Sequence, residues 1–143
     1  MIVQLDMENW KSYAKSSLYI DRLSVLVGTN ASGKSNALDA FSLLNRTANG
    51  SMLTSALQGD GSLTSIRGGI DWAARRPGDR FALGVTCRAD EITDYEYRVD
   101  CQISGNRCDI VAELRWSSNF GHNDRFSCCH FPFVDGGRQI TQC

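Results

Sequence analysis

The sequence predicts an α/β protein, and three features of its residue pattern support this fold class. An apolar run at residues 23–27 leads directly into a glycine-rich loop at residues 28–35. The residues from about 33 to 45 then place apolar side chains at the spacing of an amphipathic α-helix. Residues 80–116 alternate between apolar and polar side chains, as strands of an antiparallel sheet do.

Composition narrows the class of protein. The chain has 143 residues, of which 42% are hydrophobic and 22% are charged, and its formal net charge is -1. These values are typical of one soluble globular domain, without the excess of positive charge that indicates nucleic-acid binding. No apolar run is long enough to span a bilayer, and residues 1–11 lack the pattern of a secretory signal. We therefore expect a cytoplasmic protein without membrane contact, in which the six cysteines are reduced.

Three short strands and two helical segments are predicted in the first part of the chain. Residues 1–7 and 17–20 have the pattern of short strands. Residues 23–27 are mostly apolar on both faces, which predicts a central strand of a parallel sheet. The helix after the loop has one apolar face, made by Ala37, Ala40, Phe41 and Leu44. A weaker helical segment is expected at residues 51–57.

The glycine-rich loop is the clearest chemical signal in the chain. It fits the phosphate-binding pattern G-x-x-x-x-G-K-[ST] between a predicted strand and a predicted helix, with Gly28, Thr29, Asn30, Ala31, Ser32, Gly33, Lys34 and Ser35. In that context backbone N–H groups and the helix N-terminus bind the phosphates of a nucleoside triphosphate. Lys34 is expected to reach the β- and γ-phosphate oxygens, and the Ser35 hydroxyl is expected to coordinate Mg²⁺. An ordinary glycine-rich turn is the alternative.

Two linked motifs resemble the N-terminus of SMC/RecF-type ATPases, which include bacterial AAA-family ATPases with an ABC-like head. The first motif is a turn between the two short strands, Asn9-Trp10-Lys11-Ser12-Tyr13. The second continues the phosphate loop through Asn36 and is followed by Leu38-Asp39-Ala40-Phe41. The resemblance implies a P-loop NTPase first lobe (ABC-like head) with an antiparallel β-subdomain.

The same resemblance implies ATP and Mg²⁺ as ligands and adds residues to the site. It places Asn36 and Lys11 beside the nucleotide, and Arg67 in a segment from which an arginine can approach phosphate. It also implies a head-to-head dimer that encloses ATP and couples hydrolysis to DNA or to a nuclease partner. Two alternatives stay open: Lys11 as a solvated turn lysine, and Arg67 as a surface arginine in a glycine-rich turn.

The alternating region predicts a three-stranded antiparallel meander with one buried and one solvated face. The buried face is expected to contain apolar residues of all three runs, ending with Ala112, Leu114 and Trp116 in the third. Glu96, Asp100 and Glu113 lie on the opposite, charged face, where a catalytic role is disfavoured because no base or metal cluster accompanies them. Before this region, Trp72 is expected to point inward from a short helical turn.

Two parts of an ATPase of this kind are not found in the sequence: an acid after a second buried strand, and a signature similar to L-S-G-G-Q. Asp135 follows an apolar run, but Pro132 within that run argues against a central strand. Residues 135–139 lack the leucine and serine of the signature. Residues 117–143 show no sustained periodicity, and adjacent Cys128, Cys129 and His130 lack zinc-site spacing. We therefore expect an incomplete member, with a lobe at residues 1–116, an irregular tail at 117–143, and no assignable catalytic residue.

Two other functions stay open. Residues 31–35 also resemble the loop of tRNA prenyltransferases, so a P-loop transferase acting on a nucleotide or tRNA substrate is one alternative. The D-S-x-Q-V-Y segment that follows this loop in those enzymes does not occur here. The second alternative is a non-catalytic fragment that binds nucleotide without turnover.

Overall fold

The computed structural model describes residues 1–119 and 126–132. In chain order, the strands and α-helices of these residues are β1 (Ile2–Trp10), β2 (Tyr13–Tyr19), α1 (Lys34–Ala48), α2 (Leu53–Gln58), β3 (Arg80–Arg88), β4 (Thr93–Ser104), β5 (Arg107–Asn119) and β6 (Phe126–Pro132). A short 3₁₀ helix, Ile70–Trp72, lies between α2 and β3.

The strands form one antiparallel sheet in the order β2-β1-β3-β4-β5-β6. Strands β3, β4 and β5 form the meander that the alternation predicts. Strand β1 is longer than its pattern predicts, because it pairs with β2 on one side and with β3 on the other. Because β1 is hydrogen-bonded to a strand on each side, the turn between β1 and β2 begins at the end of a strand that the sheet holds in place.

Helices α1 and α2 cover one face of the sheet and complete the hydrophobic core. The predicted apolar face of α1 points to the sheet, with Ala37 and Ala40 buried and Phe41 and Leu44 partly buried against the core. The strands supply most of the other core side chains, among them Leu5, Met7, Trp10, Phe81, Leu83, Val99 and Cys101. Burial of these side chains fixes α1, and with it the residues that begin α1, against strand β1.

The opposite face of the sheet is polar near its centre. Arg98 on β4 donates to Glu8 on β1 at 3.1 Å and to Asp100 at 2.8 Å. Both carboxylates are partly exposed, so this group is a solvated ion-pair network and adds little to stability.

A β-bulge in β5 changes which side chains of this strand face the helices. The change applies to the part of β5 that follows the bulge. Asp100 pairs with Ala112 and Cys101 pairs with Ile110, which leaves Val111 as an extra residue. Beyond the bulge, Arg115 lies opposite Tyr97 on the helix-covered face, so the predicted inward position of Ala112, Leu114 and Trp116 was wrong. Burial, together with the nearby carboxylate of Glu113, raises the pKa of Tyr97 to about 12.

The predicted parallel strand at residues 23–27 is not a strand in the structure. These residues pair with none of the strands in the described part of the chain, and Leu23, Val25 and Val27 are 85%, 74% and 88% exposed. A strand that is apolar on both faces needs a neighbouring strand to bond its backbone and covering layers to bury its side chains. The antiparallel sheet offers residues 23–27 neither, so this prediction was wrong.

Two further differences concern local structure. Trp72 is 57% exposed, not inward, and its buried neighbours Ala73 and Ala74 face the core instead.

Strand β6 lies where an irregular tail was expected; it pairs with the outer side of β5, and Pro132 ends it. An edge strand tolerates proline because no further strand needs its missing N–H. The side chains of Cys128, Cys129 and His130, and residues His122, Asp135 to Gln139 and Cys143, lie outside the described residues.

We expect two of the three described cysteines to resist thiol reagents. A hydrogen bond with Cys108, and then burial, raise the pKa of Cys101, which suppresses the reactive thiolate. Cys108 is buried as well, whereas Cys87 is partly exposed. In a variant with Cys128, Cys129 and Cys143 replaced by serine, a native-state Ellman titration at pH 8 should detect Cys87 alone. Denaturant should release all three, and rapid native labelling of Cys101 would contradict this packing.

Candidate nucleotide-binding site

The turn between β1 and β2 anchors the beginning of helix α1. Trp10, the last residue of β1, is fully buried, and its indole N–H donates to the carbonyl of Asn36 at 2.7 Å. Two residues further on, Ser12 accepts a hydrogen bond from the Asn36 side chain at 2.8 Å. Tyr13 donates its phenolic O–H to the carbonyl of Gly33 at 3.1 Å. Three contacts from this turn therefore hold the end of the glycine-rich loop and the start of α1 to the sheet.

The loop needs glycine at residue 33 and leaves little room for a side chain at residue 28. Gly33 has a φ of 94°, and a Cβ at this position would lie 2.9 Å from the Tyr13 hydroxyl oxygen. Gly28 would place a Cβ 2.7 Å from the Ser32 Oγ atom. Ala31 also has a positive φ of 66°, so the backbone curls back between the two glycines. The curled backbone is a feature of loops that bring consecutive N–H groups toward an anion.

Lys34 lies at the first position of α1 and folds over the loop. Its Nζ atom donates to the carbonyls of Gly28 and Thr29, each at 2.7 Å, and to the Ser32 Oγ atom at 3.2 Å. Among the described residues no side chain caps the N-terminus of α1, and its first turn contains no acidic residue. The first N–H groups of a helix have no acceptor within it, and the helix dipole adds positive charge there. An ammonium group and these N–H groups therefore meet at one place and favour an anion.

Ser35 follows Lys34 in the first turn of α1, and Asn36 is the next residue. A hydroxyl oxygen directly beside a phosphate-binding lysine is a suitable ligand for a hard cation such as Mg²⁺. The remaining loop residues that the sequence predicts, Thr29, Asn30, Ala31 and Ser32, are exposed around the same curl. The predicted loop residues are thus brought together at one end of α1.

Lys11 and Arg67 lie together on the other side of the β1–β2 turn. The Lys11 side chain is 6% exposed, and its Nζ atom bonds the Asp39 carboxylate at 2.5 Å and the Arg67 carbonyl at 2.8 Å. Lys11 therefore ties the turn to helix α1 and to the segment that carries Arg67. The Arg67 side chain is exposed and lines a pocket together with Lys11, Ser12 and Asn36.

Sequence reasoning missed several residues that build this region. Asp39 was noted as part of a motif but not as the partner of Lys11, and Trp72 was assigned to the core. Arg75 and Arg76 line the same pocket as Trp72 and Arg67. The dipeptide Arg75-Arg76 follows Trp72 after two alanines in the sequence, but its distance from the loop along the chain gave no indication that it lies in the same pocket. Gln58, the last residue of α2, lies away from this region and donates to Asn106 in the β4–β5 turn.

The loop, the lysine and the uncapped helix N-terminus define a P-loop nucleotide-binding domain. Residues 23–124 match the family described as an AAA domain, AbiEii toxin-like, of type IV toxin–antitoxin systems. This match covers more than half of the chain, and the chain belongs to this AAA family of ATP-binding proteins. A comparison with curated proteins finds no match. Across residues 1–119 and 126–132, none of the helices is long and apolar enough to cross a membrane.

Proposed function

We propose that this chain is the nucleotide-binding lobe of an ATPase with an SMC/RecF-like head. It binds ATP through residues 28–36, with Lys34 on the β- and γ-phosphates and Ser35 on Mg²⁺. Lys11 and Arg67 line the neighbouring side of the site, where Arg67 adds positive charge and Lys11, paired with Asp39, holds the turn in place. In such heads two copies enclose ATP and act on DNA or with a nuclease partner, and we extend this arrangement to the present chain.

One observation carries the proposal: the Lys34 ammonium and the uncapped N-terminus of α1 converge where Gly28 and Gly33 curl the loop. A triphosphate would replace the carbonyls of Gly28 and Thr29 as the partner of Lys34. Its oxygens would also accept hydrogen bonds from the N–H groups at the start of α1. The charge of the phosphates is thereby matched without movement of α1, which the core already holds.

Turnover requires more than this site. Bound Mg²⁺ would polarise the phosphates and help to hold the attacking water, and an acid beside it is needed to keep the ion in place. Residues 23–27 lead into the loop with Leu23, Val25 and Val27 exposed, so this apolar segment lacks the neighbouring strand and covering layers that would bury it. We infer that a further polypeptide segment pairs with residues 23–27 and supplies the acid.

Lys34→Ala is expected to weaken ATP binding by about 10- to 150-fold. The substitution removes a charge-assisted hydrogen bond to phosphate, and such bonds contribute about 1.5–3 kcal/mol. Isothermal titration calorimetry with Mg²⁺ and ATP measures the change directly. Lys15→Ala on β2 is the matched control, because Lys15 is exposed and lies outside the loop, and it should leave the affinity unchanged.

Unchanged ATP affinity in the Lys34→Ala variant would contradict the proposed site. Phosphate release, measured in parallel, separates two forms of the proposal. Turnover in a mixture with a complete family member that exceeds the turnover of that member alone supports a catalytic lobe that is completed by another segment. ATP binding with no turnover by the chain alone and no excess in the mixture indicates a non-catalytic nucleotide-binding protein.

A further inference from the structure

We propose that the pocket beside the β1–β2 turn binds the base and ribose of the nucleotide, with Trp72 and Arg76 as the stacking platform. This inference rests on the proposed function, since it assigns the part of ATP that the phosphate loop does not hold. It assigns a binding role to Trp72, Arg75 and Arg76, which lie outside the phosphate loop and have no role in the proposed phosphate site.

The pocket has the size and position that a nucleoside requires. Its volume is about 540 Å³, within the range of small-molecule sites. Ser12 and Asn36 form the wall nearest the loop, and the two residues are hydrogen-bonded to each other. Asn36 follows Ser35 directly, so the pocket begins one residue beyond the proposed phosphate and Mg²⁺ ligands.

The far wall of the pocket combines an aromatic ring with positive charge. The Arg76 guanidinium lies 4.4 Å from the centroid of the Trp72 ring, and Trp72 is 57% exposed. Arg67 and Arg75 add two further guanidinium groups to the lining. In the part of the chain that the structure describes, neither of them forms an ion pair. A flat guanidinium over an indole provides a second flat surface on which a base can stack.

Backbone contacts hold this wall in place. The N–H of Lys11 donates to the carbonyl of Ala73 at 2.9 Å, and the N–H of Arg75 donates to the carbonyl of Asn9 at 2.7 Å. Ala73 and Ala74 are buried between these contacts. Trp72 and Arg76 therefore extend from a segment that is fixed to the same turn that anchors the phosphate loop. The stacking platform and the phosphate loop are thus anchored to the same turn.

Gly68 adds a steric reason for the position of Trp72. A Cβ at Gly68 would lie 2.7 Å from the Trp72 Cβ atom, and the φ of Gly68 is 80°. The indole thus packs closely against the backbone beside Arg67, although much of its surface stays exposed. An exposed indole that is nevertheless held by its neighbours offers a preformed stacking surface.

The test compares two ligands that share the phosphates but differ in the base: ATP and inorganic tripolyphosphate, each with Mg²⁺. Calorimetric titrations are made with the full chain and with its Trp72→Ala and Trp72→Phe variants. Stacking of one base on an aromatic side chain corresponds to about 5- to 150-fold in affinity. Trp72→Ala should weaken ATP binding by a factor in this range and leave tripolyphosphate binding unchanged, and Trp72→Phe should restore most of the ATP affinity.

Three outcomes count against the inference, and they are distinguishable. If the unmodified chain binds neither ligand, the proposed function fails and this inference fails with it. If it binds both ligands and Trp72→Ala changes neither affinity, or changes both equally, the base does not lie on Trp72. If Trp72→Ala weakens binding of a single-stranded oligothymidylate but not of ATP, the platform serves nucleic acid and the inference is overturned.

Discussion

Replacing Trp10 with alanine is expected to lower the free energy of unfolding by about 3–5 kcal/mol, the usual cost of truncating a buried aromatic side chain. Trp10 is fully buried, packs on Phe81 with 5.1 Å between ring centroids, and donates to the Asn36 carbonyl. Its removal leaves a cavity under the end of β1 and frees the start of α1. Thermal unfolding followed by circular dichroism should show the midpoint falling by about 10–15 °C.

Two further substitutions separate the contribution of burial to the free energy of unfolding from the contribution of the Trp10 hydrogen bond. Trp72→Ala makes the same chemical change at an exposed position, and we expect a midpoint change of at most a few degrees. Trp10→Phe keeps an aromatic ring in the core but removes the indole N–H, so its effect should lie between the two. Equal destabilisation by Trp10→Ala and Trp72→Ala would contradict the packing described for Trp10.

Gly33→Ala is expected to remove most nucleotide binding while the domain stays folded. A non-glycine residue at a φ of 94° costs about 1–2 kcal/mol. The new methyl group would also lie 2.9 Å from the Tyr13 hydroxyl, and overpacking of this kind costs about 1–3 kcal/mol. The loop would relieve both by leaving its curled conformation, which removes the Lys34 ammonium from its position over the loop. We expect ATP affinity to fall by about 30-fold or more, measured by calorimetry.

Gly50→Ala is the matched control for this prediction. Gly50 has a φ of 86°, but no atom lies within 4 Å of the position of an added Cβ. The Gly50→Ala variant therefore has the backbone strain of a positive φ without a close contact to the new methyl group. Its position follows the end of α1 and is away from the loop. It should lose stability and keep its ATP affinity. ATP affinity retained by Gly33→Ala would show that the loop does not need its left-handed turn.

The sequence predicts well those parts of the fold that depend on local pattern. Helix α1 and strands β3, β4 and β5 lie where periodicity places them, because α1, β3, β4 and the part of β5 before its bulge each bury a face that their own residues define. The phosphate loop was predicted for a similar reason, since Gly28, Gly33 and Lys34 lie within seven consecutive residues of the chain. Assignment to an AAA family agrees with that motif, whereas the finer SMC/RecF resemblance stays a prediction.

The remaining features depend on contacts between distant segments. The bulge at Val111 interrupts a run whose apolar alternation continues unbroken, and no glycine marks it. Residues 23–27 have the composition of a buried strand, but composition does not say whether a neighbouring strand is present. The Lys11–Asp39 ion pair joins residues on different elements, and nothing in either motif indicates which acid a lysine will meet. These features arise from tertiary pairing, which a single sequence does not encode locally.

The uneven support of the phosphate loop has a thermodynamic consequence. Trp10, Ser12 and Tyr13 hold its C-terminal end, while residues 23–27 before its N-terminal end are exposed and unpaired among the described strands. A ligand that orders the whole loop lowers the conformational entropy that is lost when a partner segment binds to residues 23–27. Binding of the segment first would lower the entropy loss of the ligand in the same way. Such coupling is reciprocal: the factor by which ATP raises affinity for the partner equals the factor by which the partner raises affinity for ATP. Under the proposed function, nucleotide occupancy and pairing of residues 23–27 with the proposed segment would form one linked equilibrium, whose strength can be measured from either side.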